Sequence, residues 1–338
     1  MVKKNILILF VISLPFVFAG TCEPPEPGPP DAGLYHTYAE IEAELQALQA
    51  AHPGIAKVMD LGQSVQNRSI WALKISDNVA QEENEPEILF IGGHHAREWI
   101  AVDVPFLLAK HLLEQYDSDA KIRTYVDNGQ IWVIPLLNPD GHQFSVTTNR
   151  LWRKNRRDNG DGSFGVDLNR NYAFQWGGPG SSGDTFSEIY RGPQPFSEPE
   201  TQVVRDFASQ HDFRAMISYH NYSQLILYPW GYTSTPAQDE TLLHDLAQTM
   251  SDSILDVHGE TYIAQQSSDL YLASGDATDW LYGETRVPSY TIELRPISAF
   301  PGFQLPESEI QPTFEENLPA ALFLIEWSQS QTSVATMK

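Results

Sequence analysis

The stretch Glu87-Ile88-Leu89-Phe90-Ile91-Gly92-Gly93-His94-His95-Ala96-Arg97-Glu98-Trp99-Ile100 decides how the chain is read. Its first half is an unbroken apolar run, the pattern of a strand covered by helices on both faces of a sheet. Its second half sets His95 and Glu98 three residues apart just past that strand, and sites in open α/β sheets gather outside the carboxyl ends of strands. Catalytic zinc takes three protein ligands, imidazole and carboxylate among them, and keeps one position open. His220 follows the apolar run Ala215-Met216-Ile217-Ser218-Tyr219 and is the best placed of the ten histidines to be the third. The spacing alone also fits capping or core packing, and His94 is an alternative ligand.

Outward from this point the chain alternates between helical and extended patterns. Thr37 and Glu40 have capping-box spacing ahead of Ile41, Leu45 and Leu48, so a helix opens the domain. Residues 70–75 and 87–91 read as strands, and Val104, Leu107, Leu108 and Leu112 as a helix. A buried strand over 131–137 is stopped by the turn residues Asn138-Pro139-Asp140-Gly141. Ser197 and Glu200 repeat the capping-box spacing before Val203, Val204 and Phe207, and 215–219 is a strand. A helix over 241–257, a strand over 289–294 and an amphipathic helix over 314–327 complete the pattern. The Gly/Pro/Ser stretch 177–183 reads as a loop, and the polar tail 328–338 as disordered.

With 338 residues the chain can form one large domain or two small ones, since single cores stop growing at roughly 250–300 residues. Lys3 and Lys4 precede the apolar segment 6–18, and Val17 and Ala19 suit cleavage after Ala19, so 1–19 reads as a secretory signal and the protein as secreted or periplasmic. No later stretch approaches the about 20 apolar residues of a membrane span. The net charge of −23 argues against nucleic acid or anionic lipid as partners. The single cysteine, Cys22, excludes an intramolecular disulfide. Standing before a Pro-rich linker within 20–34, it is also the residue through which a lipoprotein would be anchored.

Seven motifs occur in one order: His-His-Ala-Arg-Glu-Trp-Ile (94–100), Asn-Pro-Asp-Gly (138–141), Arg-Leu-Trp-Arg-Lys-Asn-Arg (150–156), Gly-Val-Asp-Leu-Asn-Arg-Asn (165–171), His-Asn-Tyr-Ser-Gln (220–224), Tyr-Leu-Ala-Ser-Gly-Asp-Ala-Thr-Asp-Trp (271–280) and Thr-Ile-Glu-Leu-Arg (291–295). On these, residues 35–327 resemble the zinc carboxypeptidases of the pancreatic A and B type and their bacterial secreted relatives. The resemblance implies a three-layer α/β/α domain around a mixed sheet of about eight strands. It also implies a monomeric exopeptidase that removes the C-terminal residue of peptides and proteins.

The same resemblance assigns roles. One zinc per chain is held by His95, Glu98 and His220, and Glu293 is the base that activates the zinc-bound water. Glu293 lies within the apolar run Tyr-Thr-Ile-Glu-Leu, where a carboxylate costs desolvation energy; read without the resemblance, it also fits the solvent face of an edge strand. Arg153 matches the residue that steadies the oxyanion, and Asp167 the carboxylate that orients His95. Asn169 and Arg170 match the readers of the free C-terminal carboxylate, Arg97 adds a second cation, and Tyr222 and Tyr271 complete the substrate site. Arg150, Lys154, Arg156 and Arg157 are expected to focus an anionic terminus into the cleft.

The motif 274–280 matches the pocket for the C-terminal side chain. The A type carries an aliphatic residue at the position of Thr278 and the B type an aspartate. Asp276 resembles the arrangement in bacterial carboxypeptidase T, so apolar and basic C-terminal residues are both expected, with Asp276 at the solvated rim as the alternative. About fifteen residues between signal and domain leave no space for an inhibitory pro-domain, which implies an enzyme active as made. A cell-wall peptidase, a non-catalytic zinc-binding protein and a deacylase of amido acids are the rival functions.

Overall fold

A computed structural model describes residues 33–81 and 83–331. The signal segment 1–19, Cys22 and most of the Pro-rich linker lie outside the described residues, as does most of the tail. The described chain forms α1 (Tyr38–Ala51), β1 (Ala56–Gln63), β2 (Ser69–Ile75), β3 (Glu87–Ile91), α2 (Ile100–Gln115), α3 (Ala120–Asp127), β4 (Gln130–Ile134), α4 (Pro139–Thr147), α5 (Pro199–Ala208), β5 (Phe213–Asn221), β6 (Leu225–Tyr228), α6 (Glu240–His258), β7 (Ile263–Gln266), α7 (Ala277–Thr285), β8 (Ser289–Leu294) and α8 (Ile310–Ser330).

The strands make one mixed eight-stranded sheet in the order β1-β2-β4-β3-β5-β8-β6-β7. Its centre, β4-β3-β5-β8, is parallel, and the pairs β1/β2, β2/β4 and β6/β8 are antiparallel. Alternation sends Ile88 and Phe90 of β3 to one core and Leu89 and Ile91 to the other. The first core is closed by Leu45 of α1, Leu108 of α2, Met250 of α6 and Leu324 of α8, the second by Val204 of α5 and Leu281 of α7. Helices on both faces are why the central strands read as continuous apolar runs, and the three-layer expectation holds.

Several local expectations change. Thr37 and Glu40 form their capping box, with Thr37 N donating to Glu40 at 2.8 Å. Asn138-Pro139-Asp140-Gly141 does not simply end a strand: β4 stops at Ile134, and Asn138 caps α4 by accepting from Gly141 N at 3.0 Å, with Pro139 in the first turn. Proline fits there because the first helical N–H groups have no partner within the helix. The second capping box does not form. Glu198 is the cap residue of α5, Ser197 Oγ bonds its carboxylate, and Glu200 is buried against Val65 N and Asn155 instead. The tail expected from Ser328 begins later, because α8 runs to Ser330 and Ser328 is buried.

The turn after β3 explains its two glycines. Gly93 has φ +67°, and a Cβ on Gly92 would lie 2.1 Å from the Ala101 carbonyl oxygen. The chain can therefore reverse tightly and bring His95 and Glu98 back over the sheet end.

Candidate metal centre

His95 and Glu98 lie between β3 and α2, His220 is the penultimate residue of β5, and Glu293 the penultimate residue of β8. All belong to the carboxyl ends of parallel strands. Glu98 Oε1 lies 2.9 Å from His95 Nδ1, Glu98 Oε2 lies 2.9 Å from His220 Nδ1, and the two Nδ1 atoms are 3.1 Å apart. All three residues are buried. Ring nitrogens facing each other across a carboxylate are a donor set for a cation, since no hydrogen placement satisfies all of them at once.

The far side of each ring is occupied. His95 Nε2 meets Asp167 Oδ1 at 3.1 Å, which leaves its Nδ1 lone pair turned inward, and His220 Nε2 meets Ser218 Oγ at 3.1 Å. The residues thus fit a zinc ion. Burial alone would raise the Glu98 carboxyl, but the two imidazoles against it hold it well below the usual range. Among the described residues one further acidic cluster, Asp77, Glu83 and Glu85, has metal-type spacing.

Asp167 has a second task. Its Oδ2 accepts from Arg153 Nε at 3.1 Å and Nη2 at 2.9 Å, while Asn169 N donates to its Oδ1 at 3.0 Å. Burial would raise Asp167 too, yet Arg153 and then His95 keep it far below its ordinary value. Arg153 Nη1 has no partner among the described residues, so the guanidinium is fixed on one side and open on the other.

These groups share a cleft of about 540 Å³ lined by His95, Glu98, Arg153, Arg170, Tyr271 and Glu293, with Arg97, Glu188, Tyr222 and Phe303 at other points of the wall. Glu293 pairs in register with His220 across β5 and β8. Burial, and then the charge of Glu98, push its carboxyl up to about 8. It is therefore in the buried wall of the cleft, not on the solvent face of an edge strand.

Arg170 is anchored by Gly180 O at 2.8 Å and Asn169 O at 2.6 Å, and its guanidinium lies 5.9 Å from the exposed Tyr271 ring. Asn169 is buried, does not line the cleft, and accepts from Ala277 N at 3.0 Å. Arg97 lies 4.1 Å over the Phe303 ring and 3.6 Å from Glu188, and Tyr222 packs edge-on to Phe303.

The basic stretch behaves differently from expectation. Arg150 stacks on Trp99 and bonds the Arg97 and Phe303 carbonyls, Arg156 is sandwiched among Phe144, Trp152 and Phe164, Arg157 pairs with Glu198, and Lys154 reaches Thr185 O. Only Arg153 of this group enters the cleft. The others are spent on packing, because long side chains here meet aromatic faces and loop carbonyls.

Asp276 and Thr278 do not line the cleft. Asp276 caps α7, with Oδ1 accepting from Asp279 N at 2.9 Å, and Thr278 Oγ1 lies 2.8 Å from Thr291 Oγ1. Asp276 is buried, not at a solvated rim, and its Oδ2 has no hydrogen-bond partner. Glu188, Phe303, Ser218 and Tyr172 were not singled out from the sequence; Ser218 lies two residues before His220 on the same strand, while Tyr172 reaches His94 across 78 positions.

Residues 41–320 match the family model described as zinc carboxypeptidase. The chain is 39% identical over 285 residues to carboxypeptidase A2 of Rattus norvegicus, covering 83% of this chain and 67% of that one. It is 40% identical over 288 residues to carboxypeptidase B of Astacus astacus, covering 83% and 93%. Among solved structures, thrombin activatable fibrinolysis inhibitor superposes with TM-score 0.84 at 30% identity, over 88% of this chain and 75% of that one. Carboxypeptidase A from Helicoverpa armigera does so with 0.81 at 29%, over 88% and 74%.

Proposed function

The chain belongs to the zinc carboxypeptidase family, a metallocarboxypeptidase with one catalytic zinc, and from that premise we propose that it is a secreted enzyme releasing apolar and basic C-terminal residues through Glu293. The observation that carries the catalytic reading is the register pairing of His220 with Glu293, which sets a buried carboxylate in the wall of the cleft that holds the metal ligands. Bound by His95, Glu98 and His220, zinc supplies Lewis acidity that polarises a carbonyl and lowers the pKa of water.

The chain's own residues do the rest. Glu293 takes a proton from the attacking water and hands it to the departing amine from its place in the wall of the cleft. Arg153, clamped by Asp167, turns its open Nη1 to the oxygen on which negative charge develops. Arg170 reads the free terminal carboxylate from the cleft wall, with Asn169 beside it in sequence, Arg97 adds positive charge, and Tyr222 and the exposed Tyr271 border the terminal residue. Acceptance of Lys and Arg rests on the motif 274–280, because Asp276, although one of its oxygens has no hydrogen-bond partner, is buried outside the lining of the cleft.

Secretion is read from the basic and apolar segment 1–19; among the described residues no helix is long and apolar enough to cross a membrane. The decisive experiment incubates the purified protein with a peptide library bearing free or amidated C-termini, with and without a zinc chelator. Stepwise release from free termini, lost on chelation and restored by zinc, is expected. Equal cleavage of amidated peptides, or indifference to the chelator, would refute the reading.

A further inference from the structure

His95 and His220 present the same ring nitrogen to the metal site but are backed by different chemistry. Behind His95 stands a carboxylate, Asp167, which can only accept and so settles the hydrogen on Nε2. Behind His220 stands a hydroxyl, Ser218 Oγ at 3.1 Å, which can donate or accept and by itself settles nothing. The chain continues beyond it. Ser218 Oγ also lies 3.2 Å from His94 Nδ1, and His94 Nε2 lies 2.9 Å from the Tyr172 hydroxyl.

We propose that His94, acting through Ser218, is a positioning residue that steadies the ring plane of His220 and gives the Ser218 hydroxyl an acceptor, so that Ser218 can take the hydrogen of the metal-ligating tautomer. Resting on the reading of His220 as a ligand through Nδ1, the hydrogens run one way. His220 Nε2–H donates to Ser218, Ser218 O–H donates to His94 Nδ1, and His94 Nε2–H donates to Tyr172. In the opposite polarity Tyr172 donates to His94, His94 to Ser218 and Ser218 to His220 Nε2. That leaves the hydrogen on His220 Nδ1, where it blocks the metal.

The four groups are essentially inaccessible, at 0% exposure for His94, Tyr172 and Ser218 and 1% for His220, so no bulk water can substitute for a missing partner. The His94 and His220 rings are also stacked, with centroids 5.4 Å apart. His94 is held from its main chain as well, since Asn138 Nδ2 donates to its carbonyl at 3.1 Å. The residue that competed with His95 as a ligand in the sequence thus points away from the metal and steadies the opposite ligand.

The test measures zinc affinity by competition with a chromophoric chelator in the wild type, His94→Leu, Ser218→Ala, the double variant and Tyr172→Phe. Nitrogen-15 spectra of the metal-free proteins report the His220 tautomer. Loss of an outer partner typically weakens metal binding about 10–100-fold, and that loss is expected for His94→Leu and for Ser218→Ala. The double variant should be no worse than the weaker single one, because both cut the same chain. The Nε2–H tautomer of His220 should be more populated in the metal-free wild type than in His94→Leu or Ser218→Ala, where the acceptor chain is cut. Should His94→Leu fail to fold, Ser218→Ala and the shape-preserving Tyr172→Phe decide the matter by the same readouts. Wild-type affinity and tautomer in the folded variants, or additive losses in the double one, would overturn the proposal while leaving the enzyme reading intact. A wild type that binds no zinc would overturn both.

Discussion

His220 and Glu293 face each other in register on the parallel strands β5 and β8, one residue from the end of each. A residue of the candidate metal site and the proposed acid–base group are thereby positioned by main-chain hydrogen bonding and not by loops. Glu293→Gln preserves volume and should leave zinc stoichiometry and KM close to wild type while lowering kcat by about 10²–10⁴-fold, the range of a lost acid–base group. Turnover of a free-ended peptide and zinc content by atomic absorption check this. Undiminished kcat would remove Glu293 from the mechanism.

Asp167→Asn withdraws the buried charge that holds both His95 and Arg153. Zinc should bind about 10–100-fold more weakly. Unlike Glu293→Gln, this variant should remain impaired at saturating zinc, because Arg153 loses its clamp as well. Full recovery with added metal would show that Asp167 serves only the ligand.

Arg170→Ala removes a charged reader of the terminal carboxylate. Charged hydrogen bonds are worth about 1.5–3 kcal/mol, so KM should rise roughly 10–100-fold with a smaller change in kcat. Initial rates against substrate concentration separate the two, and an unchanged KM contradicts the assignment.

Asp276→Ala should lower the ratio of Arg to Leu release from matched peptides. It should also cost about 1 kcal/mol of stability through the lost cap of α7. A ratio that stays constant while the unfolding midpoint falls would confine Asp276 to capping.

Glu200 gives a pH signature away from the cleft. Burial raises its carboxyl from 4.5 to about 8, so between those values the folded chain holds a proton that the unfolded chain has released. Stability from this group is therefore lost as pH rises through that window. Glu200→Gln cannot ionise, so its unfolding midpoint relative to wild type should climb between pH 5 and pH 8. Thermal scans at the two pH values test this, and a constant difference counts against it.

Much of the fold was legible because its signals were local. The apolar run 88–91 announced a strand covered on both faces, and Thr37 with Glu40 announced α1. What escaped was short or ambiguous. β6 and β7 have four residues each, and β1 is an edge strand with mostly half-exposed side chains, so neither shows a clear period. Asn138-Pro139 carries turn chemistry and helix-start chemistry at once. In the site, motif residues could be named in advance, but the hydrogen bond between His94 and Tyr172, 78 positions apart, has no sequence signature. Nor could the diversion of Arg150 and Arg156 onto aromatic faces be read from a run of positive charge.

One carboxylate divides its two oxygens between His95 and Arg153, and this restricts how the enzyme can be altered. An engineer who retunes Asp167 to favour cobalt or manganese will at the same moment loosen the grip on the reacting oxygen. On the roles proposed for His95 and Arg153, metal preference and rate enhancement become one adjustable quantity, and selection for either drags the other along.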